Sequence, residues 1–161
     1  MTEDEIEDIA EDVHRKVSSL ADYTSDSEEY GTPDDWRDHY QEVADGLTFK
    51  DDCDGTAWTY FVACLEAGIP PARVSVNTCC VEPFTDNAGV QRVSLADRYH
   101  MVCTVNLDDR SLVLDNRQSN VWHVGELHEY TWSLPKDDRF HSWFKNFNAA
   151  TKEWTTTGVV E

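Results

Sequence analysis

Residues 53–67, CDGTAWTYFVACLEA, decide the fold class because they are apolar almost all round and predict a helix of about four turns. A helix that is apolar on every side is buried in a core. Gly68 and Pro70 end it. Beyond it the pattern alternates, which predicts strands at 72–81, 97–106, 111–115 and 121–124. Helices followed by an antiparallel sheet indicate an α+β fold.

The residues ahead of this helix predict two more helices. Ile6, Ile9, Val13, Val17 and Leu20 form the apolar stripe of an amphipathic helix over 3–21. Residues 22–31 are polar and acidic and predict a linker, and a second helix is expected from Pro33 to about Ala44. We therefore divide the chain into an acidic helix and linker, 1–31, and a domain, 32–161. Within that domain, the aromatic residues of 139–157 favour further strand, with helix as the alternative.

Composition and charge narrow the functional classes. The 161 residues contain no apolar run near 18 residues, so no membrane span is expected. No export signal is visible and the five cysteines are an odd number, which together favour a reducing, cytoplasmic location. The net charge is −19, and residues 1–54 alone carry −15. Such a chain repels phosphate backbones, so nucleic-acid binding is not expected. The oligomeric state stays open.

The excess of acid has several readings. It could steer a basic partner, mimic the charge of a nucleic acid or adapt the protein to high salt. It could equally be a solvated acidic face that keeps the protein soluble, which is the more common case.

Cys53 is a candidate nucleophile because it lies in the first turn of the buried helix. Unpaired N–H groups and the positive end of the helix dipole lower the pKa of a thiol placed there. The negative charges of Asp52 and Asp54 oppose this effect. The alternative role of Cys53 is that of a small buried apolar residue, and the same alternative applies to the other four cysteines.

His100 and Asp115 are candidate partners because of the turn between their strands. If Asp108 and Asp109 form a two-residue turn, Val102 faces Asp115, and His100 and Asp115 become diagonal neighbours on one face of the sheet. The imidazole could then give one N–H to the carboxylate and turn its other nitrogen toward Cys53. That is an arrangement of nucleophile, base and orienting acid. A one-residue bulge in the turn would separate the pair.

Four stretches of the chain resemble motifs of one enzyme family. They are DCD at 52–54, at the head of the helix that ends EAGIP at 66–70; YHMV at 99–102; LVLDN at 112–116; and TPDDW at 32–36. Together they resemble the bacterial transglutaminase-like cysteine proteinases over roughly residues 30–130. The resemblance implies a papain/transglutaminase-like core, in which a helix bearing the cysteine packs on an antiparallel sheet bearing the histidine and the aspartate.

The chain also departs from the family pattern. Gly55, Thr56 and Ala57 stand where the family usually has Asp-Tyr-Ala, so one acidic position is lost. Residues 82–96 look like an insertion ahead of the histidine strand, and the helix over 3–21 has no counterpart in the family.

Carried over by position, the resemblance makes Cys53 the nucleophile, His100 the general base and Asp115 the residue that orients it. It implies a cysteine peptidase or amidohydrolase that cleaves a peptide or isopeptide bond of a protein or peptide substrate through a thioester. Two alternatives stay open. One is acyl transfer to an amine, as in a transglutaminase, and the other is a non-catalytic acidic binding module on the same fold.

Relatives in this family bind calcium beside the active site, which makes Asp52 and Asp54 candidate calcium ligands. Both supply the hard oxygen atoms that calcium prefers, and Asn77 is a candidate third ligand. The alternative role of the two aspartates is to cap the helix, which needs no metal. The chemistry itself requires no cofactor.

Overall fold

A computed structural model describes residues 1–23, 38–85, 88–93, 99–127, 130–132, 146–148 and 153–155. The helices are α1 (Glu3–Leu20), α2 (Tyr40–Ala44) and α3 (Cys53–Glu66). The strands are β1 (Ala21–Tyr23), β2 (Phe49–Asp51), β3 (Val74–Val81), β4 (Phe84–Thr85), β5 (Gln91–Arg92), β6 (Tyr99–Asn106), β7 (Ser111–Leu114), β8 (Trp122–His123), β9 (Tyr130–Trp132), β10 (Asn146–Asn148) and β11 (Glu153–Thr155).

Helix α1 confirms the N-terminal amphipathic helix. It begins at a capping box, in which Thr2 and Glu5 satisfy each other's backbone N–H groups. Its apolar stripe packs into the main core against α3, where the hydroxyls of Ser18 and Tyr60 lie 2.7 Å apart. The acidic helix therefore shares a core with the rest of the described chain. The division at residue 31 stays a prediction, since 24–37 lie outside the described residues.

Helix α3 confirms the buried helix and forms the centre of the main core. Tyr60, Phe61 and Cys64 are each at most 1% exposed, and other apolar side chains of α3 also pack into this core. The helix ends as the sequence predicts, because Gly68 adopts a positive φ of 103° and Ile69 donates its N–H back to the carbonyl of Cys64.

Five antiparallel strands form the main sheet, in the order β8-β7-β6-β3-β9. The two-residue turn is present, with the N–H of Leu107 donating to the carbonyl of Arg110 at 2.8 Å. It sets Cys103 opposite Leu114, so the predicted register of β6 and β7 is confirmed.

The two faces of this sheet carry different clusters. One face packs on α1 and α3 and supplies the main core, here called the helix-side core, with residues such as Val76, Met101 and Leu112. The other face carries a smaller cluster, here called the outer cluster: Cys79, Val81, Val102, Val113, Val124, Leu127 and Tyr130. Alternation along the strands therefore sends the described apolar side chains of the sheet to one cluster or the other.

Several predicted boundaries differ from the structure. Residues 71–73 form a 3₁₀ turn, so β3 starts at Val74, and β7 ends at Leu114, one residue short of Asp115. Residues 82–96 contain a small hairpin of β4 and β5, but 86–87 and 94–98 lie outside the described part, as do 33–37 of the predicted second helix. Of 139–157, two short paired strands, β10 and β11, are described. No helix in the described part is long and apolar enough to cross a membrane.

Candidate active site

Cys53 is the first residue of α3. Its side chain is half-buried and packs against the helix-side core. Asp52 precedes it as the N-cap, because the carboxylate oxygen Oδ1 of Asp52 accepts the N–H of Gly55 at 3.2 Å. The capping role that the sequence offered as an alternative is therefore present for Asp52. The side chain of Asp54 lies outside the described part of the chain.

The structure joins His100 and Asp115 directly. The Nε2 atom of His100 lies 2.6 Å from Oδ1 of Asp115. Both residues are buried, His100 with 4% and Asp115 with 0% of its surface exposed. His100 shares the outer face of the sheet with Val102, and the register predicted from the turn brings it diagonal to Asp115. Because a carboxylate only accepts hydrogen bonds, Nε2 carries the proton and the lone pair of the neutral imidazole lies on Nδ1.

Asp115 is held as a carboxylate by donors on both oxygens. Oδ1 also accepts the backbone N–H of Arg117 at 2.9 Å, and Oδ2 accepts the hydroxyl of Tyr130. Burial alone would raise the pKa of Asp115. The charge and hydrogen bond of His100, together with the other two donors, outweigh burial and leave that pKa below its ordinary value. The carboxylate therefore stays charged beside the imidazole.

Two contacts of Asp115 come from residues that the sequence did not single out. Tyr130 lies on β9, two strands away from β6, and its ring stands edge-on to His100 with the centroids 5.8 Å apart. His14 of α1 donates from Nε2 to the backbone carbonyl of Asp115 at 3.0 Å. No periodic signal marks either residue, because both contacts depend on which elements become neighbours in space.

A second buried histidine–carboxylate pair lies just ahead of Cys53. The Nε2 atom of His39 donates to Oδ2 of Asp51 at 2.7 Å, and the ring of His39 stacks on Phe49. Asp51 is 1% exposed, and its Oδ1 accepts the N–H of Asp52 at 2.8 Å. A Cβ atom added at Gly55 would overlap this carboxyl group. The glycine at the position where the family has an acid thus makes room for Asp51.

The described residues alone do not complete a calcium site, and the side chain of Asp54 lies outside them. Asp52 caps α3 and Asp51 is bonded to His39. The amide nitrogen of Asn77 donates to Ser75 and Thr104, and its Oδ1 is buried without a hydrogen-bond partner among the described residues. Within the described ranges, no group of three or more His, Cys, Asp or Glu side chains could hold a metal ion.

Comparison with known proteins finds its matches among solved structures. No family model matches the sequence, and no curated protein does. LapG of Legionella pneumophila superposes with a TM-score of 0.56 at 16% identity, over 89% of this chain and 66% of the LapG chain. EGTA-treated and calcium-bound LapG each give a TM-score of 0.55 at 16% identity, over 91% and 90% of this chain and 68% and 71% of LapG.

The chain has a LapG-like fold. At 16% identity the likeness shows the fold alone, and the chain spans about two thirds of the length of the LapG structures that it matches. The mixture of helices with an antiparallel sheet agrees with the α+β class expected from the sequence.

Proposed function

We propose that this protein is a transglutaminase-like cysteine peptidase or amidohydrolase with Cys53, His100 and Asp115 as its catalytic residues. The observation that carries the proposal is the buried bond from Nε2 of His100 to Asp115, which leaves Nδ1 as the basic nitrogen. The LapG-like fold and the position of Cys53 at the start of a helix support it. Cys53 packs against the helix-side core, whereas His100 lies on the outer face of the sheet near the start of β6. The proposal therefore requires Sγ of Cys53 to reach Nδ1 of His100 past that end of β6.

The reaction divides into two steps. Nδ1 of His100 takes the thiol proton, and Sγ of Cys53 attacks the substrate carbonyl carbon to give a tetrahedral oxyanion. The imidazolium then returns its proton to the leaving amine as the carbon–nitrogen bond breaks, which leaves a thioester. Water, deprotonated by His100, attacks the thioester and releases the acid and the thiol. The first N–H groups of α3 are donors suited to the oxyanion.

Asp115 holds the imidazole through both steps. Its charge stabilises the imidazolium, and its hydrogen bond to Nε2 fixes the tautomer in which Nδ1 is the basic nitrogen. Because the pKa of Asp115 lies below its ordinary value, it does not compete for the proton that His100 carries.

The substrate is proposed to be a protein or peptide in a cytoplasmic setting, with an amine replacing water if the enzyme is a transglutaminase. The competing function is an acidic binding module that keeps the fold without catalysis. Of the excess negative charge, −15 lies in residues 1–54, which is the feature that favours this alternative.

Alkylation of the native protein by iodoacetamide tests the proposal without knowledge of the substrate. We expect Cys53 to react fastest of the five cysteines near neutral pH, with the modified residue located by mass spectrometry. His100→Ala should slow that reaction by at least tenfold, since it removes the base. Cys64→Ser, in the helix-side core, is the matched control and should leave the labelling of Cys53 unchanged. Equal labelling of Cys53 in wild type and His100→Ala would favour the binding module.

A further inference from the structure

Tyr130 bridges the two members of the proposed base pair, although it comes from the far edge of the sheet. It lies on β9 opposite Val81 of β3, with His100 on the next strand and Asp115 beyond it. The residue is 6% exposed. Its ring stands edge-on to His100 at an interplanar angle of 82°, and its hydroxyl reaches Oδ2 of Asp115. One side chain thus contacts both the base and the acid that orients it.

The direction of this hydrogen bond is fixed by its neighbours. The carboxylate of Asp115 can only accept, so the phenol donates. Nε2 of Gln118 donates to the phenol oxygen at 3.1 Å, which directs the hydroxyl proton toward Asp115. Burial, reinforced by the negative charge of Asp115, raises the pKa of Tyr130 well above its ordinary value. The phenol therefore remains a donor throughout the pH range in which a cysteine peptidase works.

The two carboxylate oxygens of Asp115 have different hydrogen-bond partners. Oδ1 serves His100 and the N–H of Arg117, and Oδ2 is held by Tyr130. A carboxylate that is held on Oδ2 cannot rotate about χ2 without breaking that bond. The edge contact with the imidazole limits the ring of His100 in the same way.

We propose that Tyr130 is a positioning residue that keeps Asp115 ionised and holds the imidazole of His100 with Nδ1 as its basic nitrogen. The inference rests on the proposed function, since it assigns Tyr130 a role only through His100. Without the phenol, Asp115 loses a donor to its charged form and its pKa rises. A hydrogen bond to a charged group of this kind corresponds to roughly a tenfold to hundredfold effect.

The pH profile of Cys53 alkylation by iodoacetamide tests this role. In Tyr130→Phe we expect the rate constant at neutral pH to fall about tenfold. We also expect the acid limb, where Asp115 becomes protonated and releases His100, to move to higher pH. Tyr40→Phe is the control, because it removes a tyrosine hydroxyl from α2, where the residue packs against the helix-side core. That control should leave both the rate and the acid limb as in wild type.

The outcomes separate this proposal from the proposed function. If His100→Ala slows labelling and Tyr130→Phe keeps the wild-type rate and profile, the role of Tyr130 is refuted while the catalytic residues stand. If His100→Ala has no effect, the proposed function fails and the role of Tyr130 fails with it. If Tyr130→Phe does not fold, Gln118→Met replaces it, since the amide orients the phenol. A smaller shift in the same direction supports the proposal, and an unchanged profile overturns it.

Discussion

Replacing Gly55 by alanine should destabilise the protein, although alanine is the better helix former. Gly55 lies in the first turn of α3, where the carboxyl group of Asp51 occupies the space that a Cβ atom would need. In an exposed helix interior, glycine to alanine gains up to about 1 kcal/mol. The added Cβ would lie 1.8 Å from Oδ2 of Asp51, and ordinary contact begins at 3.4 Å, so the carboxyl would have to move by about 1.6 Å or more.

The size of the effect follows from what that movement breaks. The hydrogen bond from His39 to Asp51 is 2.7 Å long, and Asp51 is 1% exposed, so displacement leaves a buried charge poorly paired. Breaking a buried pair costs about 3–5 kcal/mol, and the gain in helix propensity offsets about 1 kcal/mol of it. A net loss of about 3 kcal/mol corresponds to roughly 6–12 °C in melting temperature for a chain of this size.

A double-mutant cycle measured by thermal or urea unfolding checks this reasoning. In the Asp51→Ala background the overlap is gone, so adding Gly55→Ala should stabilise the protein by up to about 1 kcal/mol. The sign of the Gly55 substitution therefore reverses between the two backgrounds. If Gly55→Ala is neutral or stabilising in the wild-type background, the close approach of Asp51 to Gly55 is refuted.

Three further predictions concern the start of α3 and the residues packed against it. Asp52→Asn should keep the helix cap and leave the free energy of unfolding nearly unchanged, whereas Asp52→Ala should lower it by about 0.5–2 kcal/mol. Calcium chloride should raise the melting temperatures of wild type and of both variants only as much as sodium chloride does at matched ionic strength. A rise in the melting temperature of wild type that is specific to calcium, and that Asp54→Asn abolishes, would support a calcium site at these aspartates. Burial lowers the pKa of His39, but its hydrogen bond and attraction to Asp51, with help from Glu42, leave it above the ordinary value. The stability that this pair contributes is present below the ordinary histidine pKa and lost as pH rises through the higher folded pKa. Urea unfolding should therefore show the free energy of unfolding falling as pH rises above about 6.5. His39→Gln should flatten this fall, and an unchanged slope would show that His39 does not cause it.

The part of the site that the sequence predicted depends on local rules. A two-residue turn fixes the register of the strands that it joins, so Asp108 and Asp109 were enough to make His100 and Asp115 diagonal neighbours. Likewise, an apolar helix bounded by Gly68 places Cys53 at a helix start. Both inferences use residues that are close in sequence or joined by a single turn.

The supporting residues could not be predicted in this way. Tyr130 reaches Asp115 because β9 pairs with β3 and not with β8, which precedes it in the chain, and alternation within a strand says nothing about the order of strands. The pair of His39 and Asp51 depends on a loop and a short strand packing against the start of α3. In the sequence this pair is marked by Gly55 alone. There the glycine reads as a missing acid, whereas in the structure it makes room for the carboxyl of Asp51.

The acidic residues of α1 have a structural use beyond solvation. The carboxylate of Glu3 accepts the N–H of Asp108 at 2.8 Å, and that of Glu7 lies 2.8 Å from the guanidinium of Arg110. Both contacts bind α1 to the turn that sets the register of β6 and β7.

On the same helix, His14 holds the carbonyl of Asp115 at the other end of β7. Helix α1 therefore contacts both ends of the pair formed by β6 and β7, which carries the proposed base. Part of the negative charge near the N-terminus thus stabilises the geometry on which the chemistry would depend.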